Sequence, residues 1–217
     1  MKQSLMILSG GMDSVTMLHD FKWAIGMAVT FTYGANSNPR EIQWARYHCR
    51  QLGIELVEID LSFIGRHFNS SLLQGADAIP EGTYSDDNIR STVVPFRNGI
   101  MLSVAAGLAE SRGMKRIMIA NHAGDHSIYP DCRPEFIQSM AQAIGEGTYV
   151  PIEVFAPYTH LTKVEIAERG KKLGIDYSQT YSCYKGGEIH CGKCATCIER
   201  RHAIAAAGIT DPTVYRD

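Results

Sequence analysis

Short apolar runs of strand length alternate along this chain with longer segments of helical period. That alternation limits the possible folds more than any other feature, because parallel strands cannot be joined by tight turns and each needs a crossover helix. Strands are expected at residues 4–8, 28–33, 55–60, 116–120 and 153–155, with helices at 14–21, 40–52, 98–112 and 134–144. Gly53 and Gly113 stand where a left-handed helix end favours glycine. Thr162-Lys163-Val164-Glu165 is a capping box that predicts a helix over 163–173, and 194–207 has the spacing of a last one. Residues 72–90, broken by Gly75, Pro80, Gly82 and the pair Asp86-Asp87, predict a long loop. The fold class is therefore α/β, a doubly wound parallel sheet.

The turn after the first strand reads Ser9-Gly10-Gly11-Met12-Asp13-Ser14 and opens the first helix. Two glycines let the backbone turn tightly, and the helix N-terminus and serine hydroxyls present donors, a geometry suited to phosphate or pyrophosphate. A Gly-Gly turn whose Asp13 or Ser14 merely caps the helix is the plainer alternative. The segment lacks both the Gly-Lys-Ser/Thr of a Walker loop and the third glycine of a dinucleotide fingerprint. As a whole, the hexapeptide resembles the pyrophosphate loop of the ATP pyrophosphatases, enzymes that cleave ATP between the α and β phosphates.

Cysteines locate a second centre. Cys183, Cys191, Cys194 and Cys197 crowd into one short stretch, whereas Cys49 and Cys132 stand apart. Thiolates on two short loops match structural Zn²⁺, bound tetrahedrally at about 2.3 Å with no open position for water or substrate. An iron–sulfur cluster and redox-active pairs are the rival readings. Lys193, Arg200 and Arg201 are placed to offset thiolate charge, and Gly192 permits a tight turn. The chain divides into residues 1–157, the nucleotide-binding unit, and 158–217, a helical segment carrying the metal site. With 21 basic and 23 acidic side chains, net charge −2, a dedicated nucleic-acid surface is not expected. The apolar start stops at Ser9 without a cleavage-type ending, and no stretch approaches the ~20 apolar residues of a span, so a cytoplasmic protein without membrane contact is expected.

Further motifs narrow the resemblance. Val94-Pro95-Phe96-Arg97-Asn98, then Tyr129-Pro130-Asp131-Cys132-Arg133 with Glu135-Phe136, and the cysteine tail follow the loop in order. Together they resemble the 7-cyano-7-deazaguanine synthase family, and cover most of the chain. The resemblance implies a Rossmann-like sheet of the adenine nucleotide alpha hydrolase kind. It also implies a ligase reaction: 7-carboxy-7-deazaguanine is adenylated by ATP, ammonia displaces AMP to give the amide, and a second adenylation leads to the nitrile. Small molecules would be the substrates, with Mg²⁺ on the phosphates, structural Zn²⁺ and a homodimer. An enzyme that stops at the 7-amido product, and a tRNA-modifying enzyme of thiolation type, are the alternatives.

By the same resemblance, Ser9, Gly10, Gly11, Met12, Asp13 and Ser14 hold phosphates, with Asp13 in reach of Mg²⁺. Arg97 contacts phosphate and Asn98 starts the next helix. Asp125 or Asp131 accepts from the guanine-like edge, and Arg133 faces carboxylate or phosphate. Lys163 either touches phosphate or is a solvated first-turn lysine. Cys132 and Cys49 are expected to pack, and His122 and His126 to be hydrogen-bonded structural groups, or aids to proton transfer. Asp86-Asp87 is a solvated loop or a metal pair. Departures from the family pattern stand at Met12, Phe96, Ala120 and Tyr33-Gly34-Ala35-Asn36, where glutamine, a small residue, glycine and Tyr-Gly-Gln are usual.

Overall fold

The structure, a computed structural model, describes residues 2–76, 78–83, 90–125 and 129–216. Strands β1 (Ser4–Ile7), β2 (Ile25–Thr32), β3 (Glu55–Asp60), β4 (Arg116–Met118) and β5 (Glu153–Phe155) form one sheet in the order β3-β2-β1-β4-β5. Every pairing is parallel. The chain winds outward from β1 to β3, then crosses back to place β4 on the other side of β1. A parallel sheet binds ligands where its winding reverses, beyond the carboxyl ends of the strands. Here that crevice opens between the loops after β1 and β4.

Both faces of β1 are apolar, as a strand covered on two sides requires. Leu5 packs with Leu102, Ala105 and Ile117 under helices α4 (Arg97–Ser111) and α5 (Pro134–Gly147). On the opposite face, Met6 and Leu8 pack with Val15, Leu18, Ala45, Cys49 and Ile166. That layer contains α1 (Met12–Asp20), α2 (Asn38–Leu52) and α6 (Lys163–Lys172). Helix α7 (Ala195–Ala206) lies against α6, with Ala203, Ile204 and Ala207 meeting Ala167, Tyr177 and Met12. A short helix α3 (Phe63–His67), absent from the sequence expectation, follows β3.

Local signals mark the element ends well. Gly53 and Gly113 take φ of 61° and 63°, and the Thr162/Glu165 capping box forms in both directions. Among the described residues, Arg90–Ser111 is long and apolar enough to cross a membrane, yet half of its most apolar 18-residue window is buried within the fold. Its apolarity is that of a core helix lying on β1 and β4.

Candidate active site

The turn between β1 and α1 is shaped by contact. Gly10 has φ of +88°, and a side chain there would overlap the backbone carbonyl of Glu41 on α2. Ser9 Oγ and Ser14 Oγ lie 2.9 Å apart. Gly10 N donates to Ser14 Oγ at 3.2 Å and Gly11 N to Ser9 Oγ at 3.2 Å. Helix α1 has no side-chain cap, so first-turn N–H groups remain available at the positive end of its dipole. Met12 lines the floor of the cleft and packs into the apolar layer beneath α6 and α7, 1% exposed.

A cleft of about 220 Å³ lies above this turn and the end of β4. At one end, Lys163 Nζ stands 2.9 Å from Glu199 Oε2 and 3.4 Å from Asp13 Oδ2. His122 Nδ1 accepts from Gly124 N, so the neutral ring carries its proton on Nε2. That nitrogen lies 3.5 Å from Asp125 and 3.7 Å from Asp13. Burial pushes both carboxyls up; for Asp13 the Lys163 and His122 charges outweigh burial and the net is a lowered pKa. Asp125, with Asp13 and Glu199 also against it, stays raised. Lys163, opposed by burial, is held charged by the Asp13 and Glu199 carboxylates. Asp13 Oδ1 and Asn121 Oδ1 are buried with no protein partner among the described residues.

The other end is aromatic. Arg97 Nη1 donates to Tyr33 Oη at 3.2 Å, and its guanidinium lies 5.6 Å from the centre of that ring. Tyr129 and Tyr184 join hydroxyls at 2.7 Å, and Glu41 lines the same cleft. Arg97 is aimed there by Phe96, a non-glycine residue at φ 53°. The Phe96 ring covers Gly99 and meets Phe136 edge-on at 5.5 Å. The left-handed backbone at Phe96 costs about 1–2 kcal/mol, and its bulky ring is accommodated because Gly99 has no side chain in the space it fills.

Several expected residues are placed elsewhere. Asp131, expected at the guanine-like edge, is buried and accepts Asn98 N at 2.8 Å, since the start of α4 needs an acceptor. Asn98 in turn donates to Asp131 O and to Cys132 Sγ. Arg133 is exposed and outside the cleft lining. Cys132 does line it, but burial pushes its thiol well above the usual range, which fits packing rather than attack. Cys49, raised by burial to about 12, is core. Asp86-Asp87 and His126 lie outside the described residues.

The four tail sulfurs lie within 4.8 Å of one another, near the ~3.8 Å edge of a tetrahedron with 2.3 Å bonds. Backbone N–H groups point at them: Cys191 N at Cys183 Sγ, 3.3 Å, and Lys193 N and Cys194 N at Cys191 Sγ, 3.4 and 3.3 Å. Gly192 at φ +72° makes that turn. This buried donor set can hold a metal such as zinc. Arg200, expected to offset thiolate charge, interacts electrostatically with Cys197, and its hydrogen bonds go to Tyr177 O, Thr180, Ser182 and Thr213, tying the tail together.

Sequence reading missed Glu41, Tyr184 and Glu199, and named Tyr33 without a role. Tyr33 opens the Tyr-Gly segment that the family pattern had marked and Glu41 lies just beyond it, so their neighbourhood was visible and their role was not. Glu199, two places after a cysteine ligand, carried no signal of its own.

The model of the queuosine biosynthesis protein QueC matches residues 3–208. The 7-cyano-7-deazaguanine synthase of Porphyromonas gingivalis is 56% identical over 214 residues, covering 99% of this chain and 97% of that one. The synthase of the same name from Desulfotalea psychrophila is 45% identical over 217 residues, 99% of each. Among solved structures, NMN synthetase from Francisella tularensis superposes with a TM-score of 0.45 at 14% identity, over 96% of this chain and 78% of that one.

Proposed function

The chain belongs to the QueC family of queuosine biosynthesis proteins, and from that we propose that it converts 7-carboxy-7-deazaguanine and ammonia to 7-cyano-7-deazaguanine at the expense of ATP. Oxide is a poor leaving group, so a carboxylate does not accept ammonia until it is activated. Attack of the carboxylate on the α phosphate gives the acyl adenylate and pyrophosphate; ammonia then expels AMP, leaving the amide. A second ATP adenylates the amide oxygen, and loss of AMP and a proton leaves the nitrile. No protein nucleophile is needed, and the raised Cys132 thiol agrees with that.

The uncapped start of α1 beside the Ser9/Ser14 hydroxyls carries this reading. Ser9, Gly10, Gly11, the Met12 and Asp13 amides and Ser14 would receive the phosphates, joined by Lys163. Mg²⁺, when bound, would neutralise phosphate charge, and the partnerless Asp13 Oδ1 is the atom that fits it. Arg97 serves phosphate or the substrate carboxylate, and Asn98 fixes the helix start from which Arg97 reaches. Asp125 with His122 can take the proton released when ammonia attacks. Zn²⁺ would be structural, since Cys183, Cys191, Cys194 and Cys197 would supply all four of its ligands, and residues 158–217 would act as a buttress to the nucleotide unit of 1–157. A homodimer working in a reducing cytoplasm completes the proposal.

Incubation with the acid, ATP, Mg²⁺ and ammonia, with products weighed by mass spectrometry, tests it. The expected result is the nitrile and two AMP per turnover; arrest at the 7-amide with one AMP would limit the proposal to the first half. No AMP at all would refute it.

A further inference from the structure

The cleft is lined by acidic side chains of unequal standing. Asp13 and Asp125 share Lys163 and His122 at the phosphate end. Glu41 stands apart from them, in the first turn of α2. Its electrostatic neighbours are Arg97, Ser37 and Asn38, and the bond it accepts from Asn38 Nδ2 is long, 3.4 Å. Among the described residues that line the cleft, it is the carboxylate beside the tyrosines rather than beside the phosphate loop.

We propose that Glu41 reads the guanine-like edge of the substrate, its carboxylate accepting the ring N1–H and one N–H of the exocyclic 2-amino group as a parallel pair. This rests on the acid substrate proposed above. The chemistry is specific: that edge offers two parallel donors, and an ionised carboxylate is acceptor-only and takes both. A ring presenting an acceptor next to a donor, as the adenine edge does, would meet lone pairs with lone pairs.

Three features make Glu41 suited to the task. It is preorganised, because Asn38 Oδ1 takes Tyr33 N at 2.8 Å and Ala35 N at 3.1 Å, pinning the segment that leads into the first turn of α2. It is registered to the reaction centre, because its own backbone carbonyl is the surface on which Gly10 of the phosphate loop rests. A ring held by this side chain is thereby held at a set distance from the phosphates. Finally, Tyr33 and Tyr181 beside it in the cleft lining offer flat apolar walls to a planar heterocycle. Burial raises the Glu41 carboxyl on balance, with Arg97 opposing it in part, and donors arriving from a ligand would draw it toward the ionised form.

The test compares 7-carboxy-7-deazaguanine with its 2-desamino analogue in AMP release by the metal-loaded full chain. Sites that bond a substrate N–H reject analogues lacking it strongly, so wild type should prefer the parent acid by roughly 100-fold in kcat/KM. Glu41→Gln should raise KM for the parent acid and reduce that preference to about 3-fold or less, leaving KM for ATP within about 2-fold. Glu41→Asp should restore part of the preference. Equal use of the two acids by wild type, or a Glu41→Gln enzyme that keeps full preference, overturns the assignment while leaving the reaction intact. The wild-type comparison stands even where a variant fails to fold. No AMP release by wild type with either acid would instead refute the reaction, and this assignment with it.

Discussion

Lys163 shows what a single residue decides. Its side chain is 11% exposed and sits between Asp13 and Glu199, so it neutralises a cluster that would otherwise repel a polyphosphate. Replacement by methionine keeps the stem and removes the charge; ATP affinity should fall by about 100-fold, the scale of losing one preorganised charged donor, with the loss read by calorimetric titration. Unchanged affinity would mean that the ion pairs serve only the fold. In the sequence, Lys163 stood equally as a phosphate ligand and a solvated lysine, since a capping box reports a helix start and nothing about what faces it. The hexapeptide at 9–14 carries a sharper expectation, because its glycines, serines and position after a strand all bear on phosphate binding. Between Asp125 and Asp131 the sequence offered no choice: a carboxylate in a substrate-side motif gives no sign that a backbone N–H 33 positions away engages Asp131.

Elements were legible through period and punctuation, and their mutual contacts were not. Helices α1 and α2 are tied by His19 Nε2 to His48 Nδ1 at 3.0 Å, with His48 Nε2 reaching Gln179 O at 2.8 Å. Because a carbonyl only accepts, His48 donates through Nε2, and its Nδ1 must accept from His19. Burial and the neighbouring His48 charge lower His19 to about 4, and burial lowers His48 too. With the unfolded pKa near 6.5, the unfolded chain binds more protons between pH 6.5 and about 4. Stability is therefore present above that window and is lost as pH falls through it. The urea midpoint should drop over that range, by the equivalent of about 1 kcal/mol for His19 after allowing for its partial exposure, and a His19→Gln variant should flatten the slope. An unaltered slope would remove the pair from the acid response.

At the scale of the molecule, the metal site and the cleft are joined through α7, which begins beside Cys194, carries Cys197 and delivers Glu199 to Lys163. Removing metal with a chelator should lower the thermal midpoint and weaken ATP binding in the same titration, with both restored by Zn²⁺; loss of stability without loss of ATP affinity would separate the two centres. The sequence by itself determined the parallel α/β class, the phosphate-type turn and the cysteine set, because periodicity, glycine punctuation and ligand spacing are local properties. Tertiary structure decided the strand order that opens the crevice between β1 and β4, and the meeting of Asp13, His122, Asp125, Lys163 and Glu199. It also separated that charged end from the aromatic one around Glu41 and Arg97. Such assignments depend on which distant groups compete for each hydrogen bond and each charge, and that competition exists only once the chain is packed.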